Sequence, residues 1–323
     1  MEIRRAGSDE LEEFVGVFDK LWPNHLGLAE LRRDLELMPE KQRMSLWFAV
    51  WDGEDRRDGD STLAGSKIGV ARLYRLLGAF HPQKWFGEFG VLPEYRGKGI
   101  GTRFYDHLMA QLAAEDALQI TGRTRDDDPY SIGFLERRGF YETKRDFESV
   151  LDLASLSDEV LDALDDPSFD IKTAKEADCE RFRHQWHELF EEARKDIPRD
   201  ESPTPFTFDE FAEIFLVDEE FLWDVSMFAF DGEKMIGFTL IYGMDNRGVL
   251  FQALTAVDKD YRGRGLAKAM KSRAMRRAKE KGITEVHCDN DTRNAPMISI
   301  NERLGYKRKP GMIAMRKDLS AGR

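Results

Sequence analysis

Two short segments of the chain combine an arginine with small residues at a spacing that suits phosphate binding. VLPEYRGKGIG runs from Val91 to Gly101, and VDKDYRGRGLA runs from Val257 to Ala267. Each reads Arg-x-x-Gly-x-Gly/Ala, follows an apolar strand pattern and leads into a helical one. A helix start offers unpaired N–H groups and a positive dipole end, and small residues let an anion approach that backbone closely. The chemistry indicated is the binding of a diphosphate.

The candidate ligand-binding residues are those of the two loops and of the strand ends before them. In the first copy they are Val91, Arg96, Gly97, Lys98, Gly99, Ile100 and Gly101. In the second copy they are Thr255, Val257, Arg262, Gly263, Arg264, Gly265, Leu266 and Ala267. Neither loop is a Rossmann or a Walker loop, because Gly-x-Gly-x-x-Gly and Gly-Lys-Ser/Thr are both missing.

The chain is a tandem duplication. Arg96 and Arg262 are 166 positions apart, and so are Gly139 and Gly305 in the later segments FLERRGF and INERLGY. Two unrelated coincidences would not keep one internal spacing, so each copy should be a domain with its own core. We predict an N-terminal domain over residues 1–153, a linker over 154–168 and a C-terminal domain over 169–323.

Both copies show the same order of patterns. A short strand and two helices, the second near 26–37 and 208–222, precede strand candidates suited to antiparallel pairing. After the glycine loop come a long helix (about 100–116 and 266–281), a strand, a short helix and a last strand. The fold class predicted is α+β, with a mixed, mostly antiparallel twisted sheet flanked by helices in each domain. The basic residues of the 266–281 helix are expected to form a solvated face.

Composition narrows the functional classes. A net charge of −12 makes nucleic acid an unexpected partner, because duplex binding depends on phosphate neutralisation by Lys and Arg. The sequence has no apolar run near the roughly 20 residues that span a bilayer and no signal-peptide core, so we expect a cytoplasmic protein without a membrane partner. Cys179 and Cys288 are too few and too far apart in sequence for a thiolate metal site, and we expect no metal.

These two loops resemble the acetyl-CoA loop of the GCN5-related N-acetyltransferase (GNAT) superfamily, and the Gly-Phe and Gly-Tyr endings resemble its late helix-to-strand junction. The resemblance covers nearly the whole chain, and the second half is also similar to mycothiol synthase-like acetyltransferases. It implies acetyl-CoA as co-substrate and a strand that splays from its neighbour at Val91 or Val257. The exposed backbone would bind the pantetheine arm and polarise the thioester carbonyl. The acceptor amine would attack directly after losing a proton.

The sequence departs from the family pattern at the site of proton transfer. Many members carry a tyrosine in the late helix that protonates the departing thiolate, and here Leu135 and Asn301 stand at that position. Glu88 lies where related enzymes often carry an acid that binds or deprotonates the acceptor, and it is our candidate catalytic residue, although an ordinary carboxylate is an equal alternative. Asn294 and Asn301 are candidates for hydrogen bonds to the pantetheine amides or to the acceptor, with loop and helix capping as the alternative.

The predicted function is acetyl transfer from acetyl-CoA to a primary amine of a small molecule. A protein or peptide N-acetyltransferase and a non-catalytic acetyl-CoA-binding module are the alternatives. The acidic net charge and Glu88 favour a cationic acceptor. We expect a monomer or homodimer, with the second copy carrying most of the turnover.

Overall fold

A computed structural model describes residues 1–22, 26–37, 44–50, 65–199, 202–244 and 248–319. The thirteen strands within these residues are β1 (Glu2–Arg5), β2 (Ser45–Val50), β3 (Lys67–Tyr74), β4 (Lys84–Val91), β5 (Gln119–Arg125), β6 (Tyr141–Asp152), β7 (Asp170–Thr173), β8 (Met227–Asp231), β9 (Lys234–Gly243), β10 (Val249–Val257), β11 (Glu285–Asp291), β12 (Lys307–Lys309) and β13 (Met312–Asp318).

The helices of the same residues include long ones after each glycine loop. They are α1 (Leu11–Leu21), α2 (Leu28–Leu37), α3 (Ile100–Ala114), α4 (Pro129–Glu136), α5 (Asp158–Leu164), α6 (Cys179–Asp196), α7 (Phe208–Phe211), α8 (Leu266–Glu280) and α9 (Ala295–Leu304). The helix expected near 208–222 is shorter than predicted: α7 begins at a Thr207 capping box and continues only as a π-helical turn over Ala212–Leu216.

The described chain forms two structural units. Unit 1 comprises Met1–Thr124, Tyr130–Thr143 and Ala314–Arg323, and unit 2 comprises Arg125–Pro129 and Lys144–Ile313. These units differ in outline from the predicted sequence domains, which follow the repeat. Most of β6 belongs to unit 2 and most of β13 belongs to unit 1. Arg125–Pro129 and the predicted linker over 154–168 also belong to unit 2.

The sheet of each unit contains a parallel strand pair beside its glycine loop. In unit 1 the strand order is β1-β2-β3-β4-β5-β13, followed by the first three residues of β6, with β1 to β4 antiparallel in succession and β5 parallel to β4. In unit 2 the order is β6-β11-β10-β9-β8-β7, antiparallel except for the parallel pair of β10 and β11. The predicted α+β class, with mostly antiparallel sheets flanked by helices, is confirmed.

Strand alternation gives unit 2 two hydrophobic layers. On β8, Phe228 faces a cluster that contains Trp186 and Phe190 of α6, whereas Met227 and Ala229 belong to the cluster on the opposite face, with α8. In unit 1, α1 buries Leu11, Phe14, Val17 and Phe18, residues at helical spacing. Among the described residues, no helix has the length and apolar character that crossing a membrane requires.

Strand β13 is part of the unit 1 sheet. Leu319 N donates to Leu118 O at 2.7 Å, just before β5, and Tyr141 Oη donates to Asp318 Oδ2 at 2.9 Å, on β6. Lys317 Nζ donates to Tyr105 Oη of α3 at 2.7 Å. The side chain of Met315 is 1% exposed, so the strand contributes apolar burial as well as hydrogen bonds.

Met315→Ala should lower the free energy of unfolding of unit 1 by about 2–5 kcal/mol, because it leaves a cavity where a buried thioether was packed. Hydrogen exchange should show faster exchange of β5 amides, with β9 of unit 2 unchanged. Asp318→Asn, at the exposed end of the same strand, is the matched control. Wild-type protection of β5 in Met315→Ala would contradict the role assigned to β13.

Candidate active site

The two glycine loops have the same backbone geometry. In unit 1, Arg96 Nε donates to Val91 O at 3.0 Å, and in unit 2, Arg262 Nε donates to Val257 O at 3.0 Å. The arginine therefore ties the loop to the last residue of the strand before it. This local role was not part of the sequence prediction, which treated the arginine as a cation for phosphate. In unit 2 a second nitrogen of the guanidinium is also engaged, since Arg262 Nη2 donates to Asp196 Oδ2 at 2.6 Å.

The loop glycines adopt left-handed backbone conformations that favour glycine. Gly99 has φ +78° and Gly265 has φ +93°, and each immediately precedes a helix, α3 or α8. A Cβ at Gly99 would meet no atom of the described structure within 4 Å, and one at Gly265 would meet only the flexible end of Lys268, at 3.6 Å. The approach to the helix start is thus open, as a diphosphate requires.

The first turn of each long helix supplies the donors for such an anion. The first four N–H groups of a helix have no intrahelical acceptor. α3 begins at Ile100 and α8 begins at Leu266, and the first turn of neither helix contains an acidic residue. These donors suit a diphosphate, the group that the sequence predicts for both loops. Lys268 Nζ lies 3.9 Å from the Cβ position of Gly265 and adds a positive charge at the second loop.

The parallel strand pairs separate beside both loops. β4 and β5 pair from Lys84 opposite Gln119 to Phe86 opposite Thr121, although β4 continues to Val91. In unit 2 the pairing ends at Phe251 opposite His287, and β10 continues to Val257 after a bulge between Gln252 and Leu254. The strand ends before the loops therefore carry backbone groups without a partner on the parallel neighbour. The splay expected at Val91 and Val257 is present.

Aromatic side chains fill the region of the unit 1 splay. The rings of Phe89 and Phe134 lie 5.9 Å apart, and those of Phe89 and Phe104 lie 6.2 Å apart. Tyr105 packs edge-on against Phe134 and Phe140 at 6.5 and 6.4 Å. Phe134 also lies 3.6 Å from the Cβ position of Gly101 in the loop.

Polar side chains occupy the corresponding positions of unit 2. Tyr306 Oη donates to Gln252 Oε1 at 3.1 Å, Gln252 Nε2 donates to Thr239 Oγ1 at 2.9 Å, and Thr239 and Thr255 hydroxyls are 2.7 Å apart. Thr255 is thus the half-buried end of a chain of hydrogen bonds whose other members are buried. At a shift of 166 residues, Gln252, Thr255 and Tyr306 replace Phe86, Phe89 and Phe140 of unit 1.

A second part of this polar cluster surrounds Lys271. Its ammonium donates to Asn301 Oδ1, and Asn301 Nδ2 donates to Asn290 Oδ1 at 2.6 Å and to Cys288 Sγ at 3.4 Å. Lys271 is 2% exposed and Asn301 is 2% exposed. The expectation that all basic residues of this helix are solvated is wrong for Lys271. Other basic residues of α8 pair with acids of α5 and its flanks, as Arg273 does with Asp165.

Burial sets the protonation of this cluster. Loss of solvation lowers the pKa of Lys271 to about 8. Burial likewise raises the pKa of the Cys288 thiol to about 11 and that of Tyr306 well above its ordinary value. All three shifts favour the neutral form, as expected for a polar cluster withdrawn from water.

Glu88 of unit 1 lies on β4 with both carboxylate oxygens engaged. Arg72 Nε donates to Oε2, and Tyr74 Oη donates to Oε1 at 3.2 Å. Burial, followed by the charge of Glu88, raises the pKa of Tyr74 above its ordinary value. In unit 2 the matching position is Leu254, packed against the aromatic cluster of α6. The catalytic role of Glu88 stays a prediction, and these contacts favour a structural carboxylate.

The late-helix asparagines differ in environment. Asn294 Oδ1 accepts from Met297 N at 3.4 Å, which makes it the cap of α9, whereas Asn301 lies inside the polar cluster. A role for either in coenzyme binding stays a prediction.

Sequence reasoning missed Lys271, Gln252, Thr239 and Tyr306. Comparison of the copies held a signal, because most of these positions are apolar in the first repeat.

Stability should depend on pH through Lys271. The folded protein releases this proton near pH 8 and the unfolded chain near 10.4, so between these values the unfolded state holds more protons and the free energy of unfolding rises with pH. Relative to Lys271→Met, the wild type should gain up to roughly 3 kcal/mol between pH 7 and 10.5. Urea unfolding across this range measures the difference. For the exposed-lysine control Lys309→Met, the difference in free energy of unfolding from the wild type should not change with pH. If the difference between the wild type and Lys271→Met is also independent of pH, the Lys271 ammonium lies in water and the prediction is wrong.

Solved structures share the fold along the whole chain. A tandem GNAT protein from the clavulanic acid biosynthesis pathway is 17% identical, with a TM-score of 0.72 and 98% of both chains covered. A GCN5-related N-acetyltransferase from Sphaerobacter thermophilus is 16% identical, with a TM-score of 0.68 and 98% of this chain and 95% of that one covered. A glucosamine N-acetyltransferase region of a fungal multi-domain GH3 β-N-acetylglucosaminidase is 15% identical, with a TM-score of 0.65; 98% of this chain and 38% of that one are covered.

The sequence evidence for the family is independent of these fold similarities. The profile of the acetyltransferase (GNAT) family matches the chain twice, at residues 14–140 and 183–306, and each match contains one glycine loop and one late helix. Acetyl transfer is the general chemistry that this family implies. The loops, the splayed strands and the repeated match agree, and the chain belongs to the acetyltransferase (GNAT) family.

Proposed function

We propose that the protein transfers an acetyl group from acetyl-CoA to a primary amine of a small molecule by direct attack. The observation that carries this proposal is the pairing, in both units, of an open helix start with a strand that has left its parallel neighbour. The helix start supplies N–H donors and a positive dipole for the diphosphate. The strand end supplies fixed backbone groups for the pantetheine amides and for the oxyanion that forms on the thioester carbonyl.

The second unit is the better candidate for the turnover. Its splay carries Thr255 at the end of a buried hydrogen-bond chain, whereas Phe89 and its aromatic neighbours fill the same region of unit 1. A buried polar group costs free energy unless it is paired, so an apolar set like that of unit 1 is the simpler way to stabilise this fold. We infer that unit 2 retains polar groups for ligand chemistry and that unit 1 serves mainly as its structural partner.

A matched pair of charge variants should identify the active unit. Lys268→Glu and Thr102→Glu place a carboxylate at the same position of the first turn, of α8 and α3 respectively, where acids favour the helix. A carboxylate there repels the diphosphate. Lys268→Glu should weaken coenzyme A binding at least about tenfold and reduce turnover at subsaturating acetyl-CoA. Thr102→Glu should leave turnover within about twofold of the wild type.

Calorimetry with coenzyme A and initial rates with a panel of amines measure the two effects, and circular dichroism checks that both variants fold. The reverse pattern, with turnover lost only in Thr102→Glu, would move the assignment to unit 1. These substitutions avoid Gly99 and Gly265, whose positive φ angles would make any side chain a backbone problem as well.

We propose that the second substrate, the acceptor, is a small amine. One fold neighbour is named a glucosamine N-acetyltransferase region, and glucosamine is a small amine; another belongs to the clavulanic acid biosynthesis pathway. The acidic net charge of −12 still favours a cationic acceptor, but the Glu88 argument for it is weaker, because that carboxylate already binds Arg72 and Tyr74. A protein or peptide acceptor and a non-catalytic role are the alternatives, and consumption of acetyl-CoA with small amines separates them.

Glu88→Gln tests the structural interpretation of this residue. The amide loses the ion pair with Arg72, in which the two side chains are 12% and 16% exposed, so we expect a loss of about 1–3 kcal/mol in the free energy of unfolding. Turnover at saturating substrates should stay within about twofold of the wild type. Denaturant titration and steady-state rates give the two values. A fall in kcat of a hundredfold without loss of stability would instead make Glu88 the catalytic base of an active first unit.

A further inference from the structure

The buried ammonium of Lys271 has no carboxylate partner among the described residues. Its contacts are Asn301 Oδ1, Met297 Sδ at 3.6 Å and the ring of Tyr306 at 5.6 Å. Taking a cation out of water without an anion costs several kcal/mol. The matching residue of unit 1 is Tyr105, which requires no buried charge. The fold therefore does not require a charged residue at this position.

This ammonium adjoins the point where the strands of unit 2 separate. Phe251 opposite His287 is the last pair of β10 and β11. Gln252 and Cys288 are the next residues on the two strands, and both belong to the polar cluster. Lys271, on α8, reaches the cluster through Asn301 of α9. The cluster thus lies at the base of the open segment that ends at Val257.

Lys271, rather than Asn301, is equipped to give up a proton in this cluster. An amide does not act as an acid, and the Asn301 Nδ2 hydrogens are directed at Asn290 and Cys288. The ammonium has three hydrogens, of which one is directed at Asn301, and it already lies against a thioether sulfur, that of Met297. The thioester sulfur of acetyl-CoA, if bound in the splay, would likewise meet the Lys271 ammonium as a hydrogen-bond donor.

We propose that Lys271 is the proton donor to the sulfur that leaves in the transfer reaction of unit 2. This inference rests on the proposed function. When the C–S bond of the thioester breaks, its electron pair passes to the sulfur, and Lys271 Nζ gives that sulfur a proton. The neutral Lys271 amine then recovers a proton from water, while the acceptor nitrogen has released its own protons to solvent. In unit 2 the role left open by Asn301 is thereby filled from a neighbouring helix.

The groups that face Lys271 are suited to this task. Cys288 faces it from β11, Tyr306 from the segment after α9, and Asn301 and Met297 from α9 itself. The two titratable neighbours, Cys288 and Tyr306, have raised pKa values and stay neutral below about pH 10. Burial lowers the pKa of Lys271 to about 8, close to the ordinary value of roughly 8.5 for a thiol. An acid so matched transfers a proton efficiently near neutral pH.

The pH profile of kcat tests the proposal directly. In the wild type, kcat should fall as the pH rises through about 8, because Lys271 must be protonated to act. Lys271→Met should lower kcat at pH 7 by about a hundredfold or more, with KM for acetyl-CoA within about twofold, and should abolish the alkaline fall. Lys309→Met, an exposed lysine of β12, is the control and should match the wild type. A Lys271→Met enzyme with wild-type kcat and the same alkaline fall would overturn the proposal.

A second variant should shift the alkaline fall of kcat to higher pH, which a general loss of structure would not do. Asn301→Asp places a carboxylate of nearly the same shape on the ammonium, which should raise the pKa of Lys271 and shift the alkaline fall up by one pH unit or more. An unshifted fall in a folded Asn301→Asp enzyme would assign the fall to another group and contradict the proposal.

Binding of free coenzyme A gives a readout without turnover. Because the proposal places the sulfur of bound coenzyme A beside Lys271, coenzyme A should shift the nitrogen NMR signal of the Lys271 side chain more than an analogue that lacks the sulfur does. The signal should be absent in Lys271→Met, which assigns it to this residue. A wild type that shows the sulfur-dependent shift but acetylates no amine would refute the proposed function alone. A wild type that turns over without any sulfur-dependent shift would refute the role of Lys271.

Discussion

The separation of a parallel strand pair beside a helix start is the constraint on which the candidate site depends. A parallel pair normally satisfies the backbone groups of both strands, and leaving them unpaired in a sheet is costly. Here the pairing of β10 and β11 spans three residues and then stops, with a bulge in β10 directly after it. Arg262 fixes the far end, since its Nε bonds the carbonyl of Val257. The open backbone is thereby held in place and can serve a ligand with amides of its own.

The side chains around the open strand end are aromatic in unit 1 and polar in unit 2. In unit 1 rings of Phe89, Phe104 and Phe134 pack around the opening, and such contacts stabilise through burial and ring geometry alone. In unit 2 the hydrogen bonds run through Gln252 and Asn301, where every partner must be present for the network to be tolerated. The costly polar interior is thus found in only one of the two copies. The contrast follows from the side chains, since the backbone of the loops is the same in both.

Local features were accessible from the sequence, and partnerships between distant segments were not. The loops, the long helices after them and the α+β class follow from spacing and from the repeat. Lys271 could also have been recognised, because it stands four residues after Ala267 and four before Met275, on the apolar stripe of α8. The allocation of β6 and β13 to the two units could not have been predicted. An alternating pattern shows which face of a strand is buried but not which strand lies beside it. The early end of the 208–222 helix likewise depends on packing that propensity does not record.

The place of β13 in unit 1 has a consequence for how the protein is made. The sheet of unit 1 includes Ala314–Asp318, which the ribosome adds roughly 170 residues after the rest of that unit, beyond all the helices of unit 2. Until then the edge of β5 has no strand beside it on that side, and exposed edges invite pairing with other chains. Unit 1 therefore cannot finish folding in the order in which it is synthesised. A fragment cut between the repeats would carry the same open edge permanently, so the second repeat acts for the first as a tethered source of its missing strand.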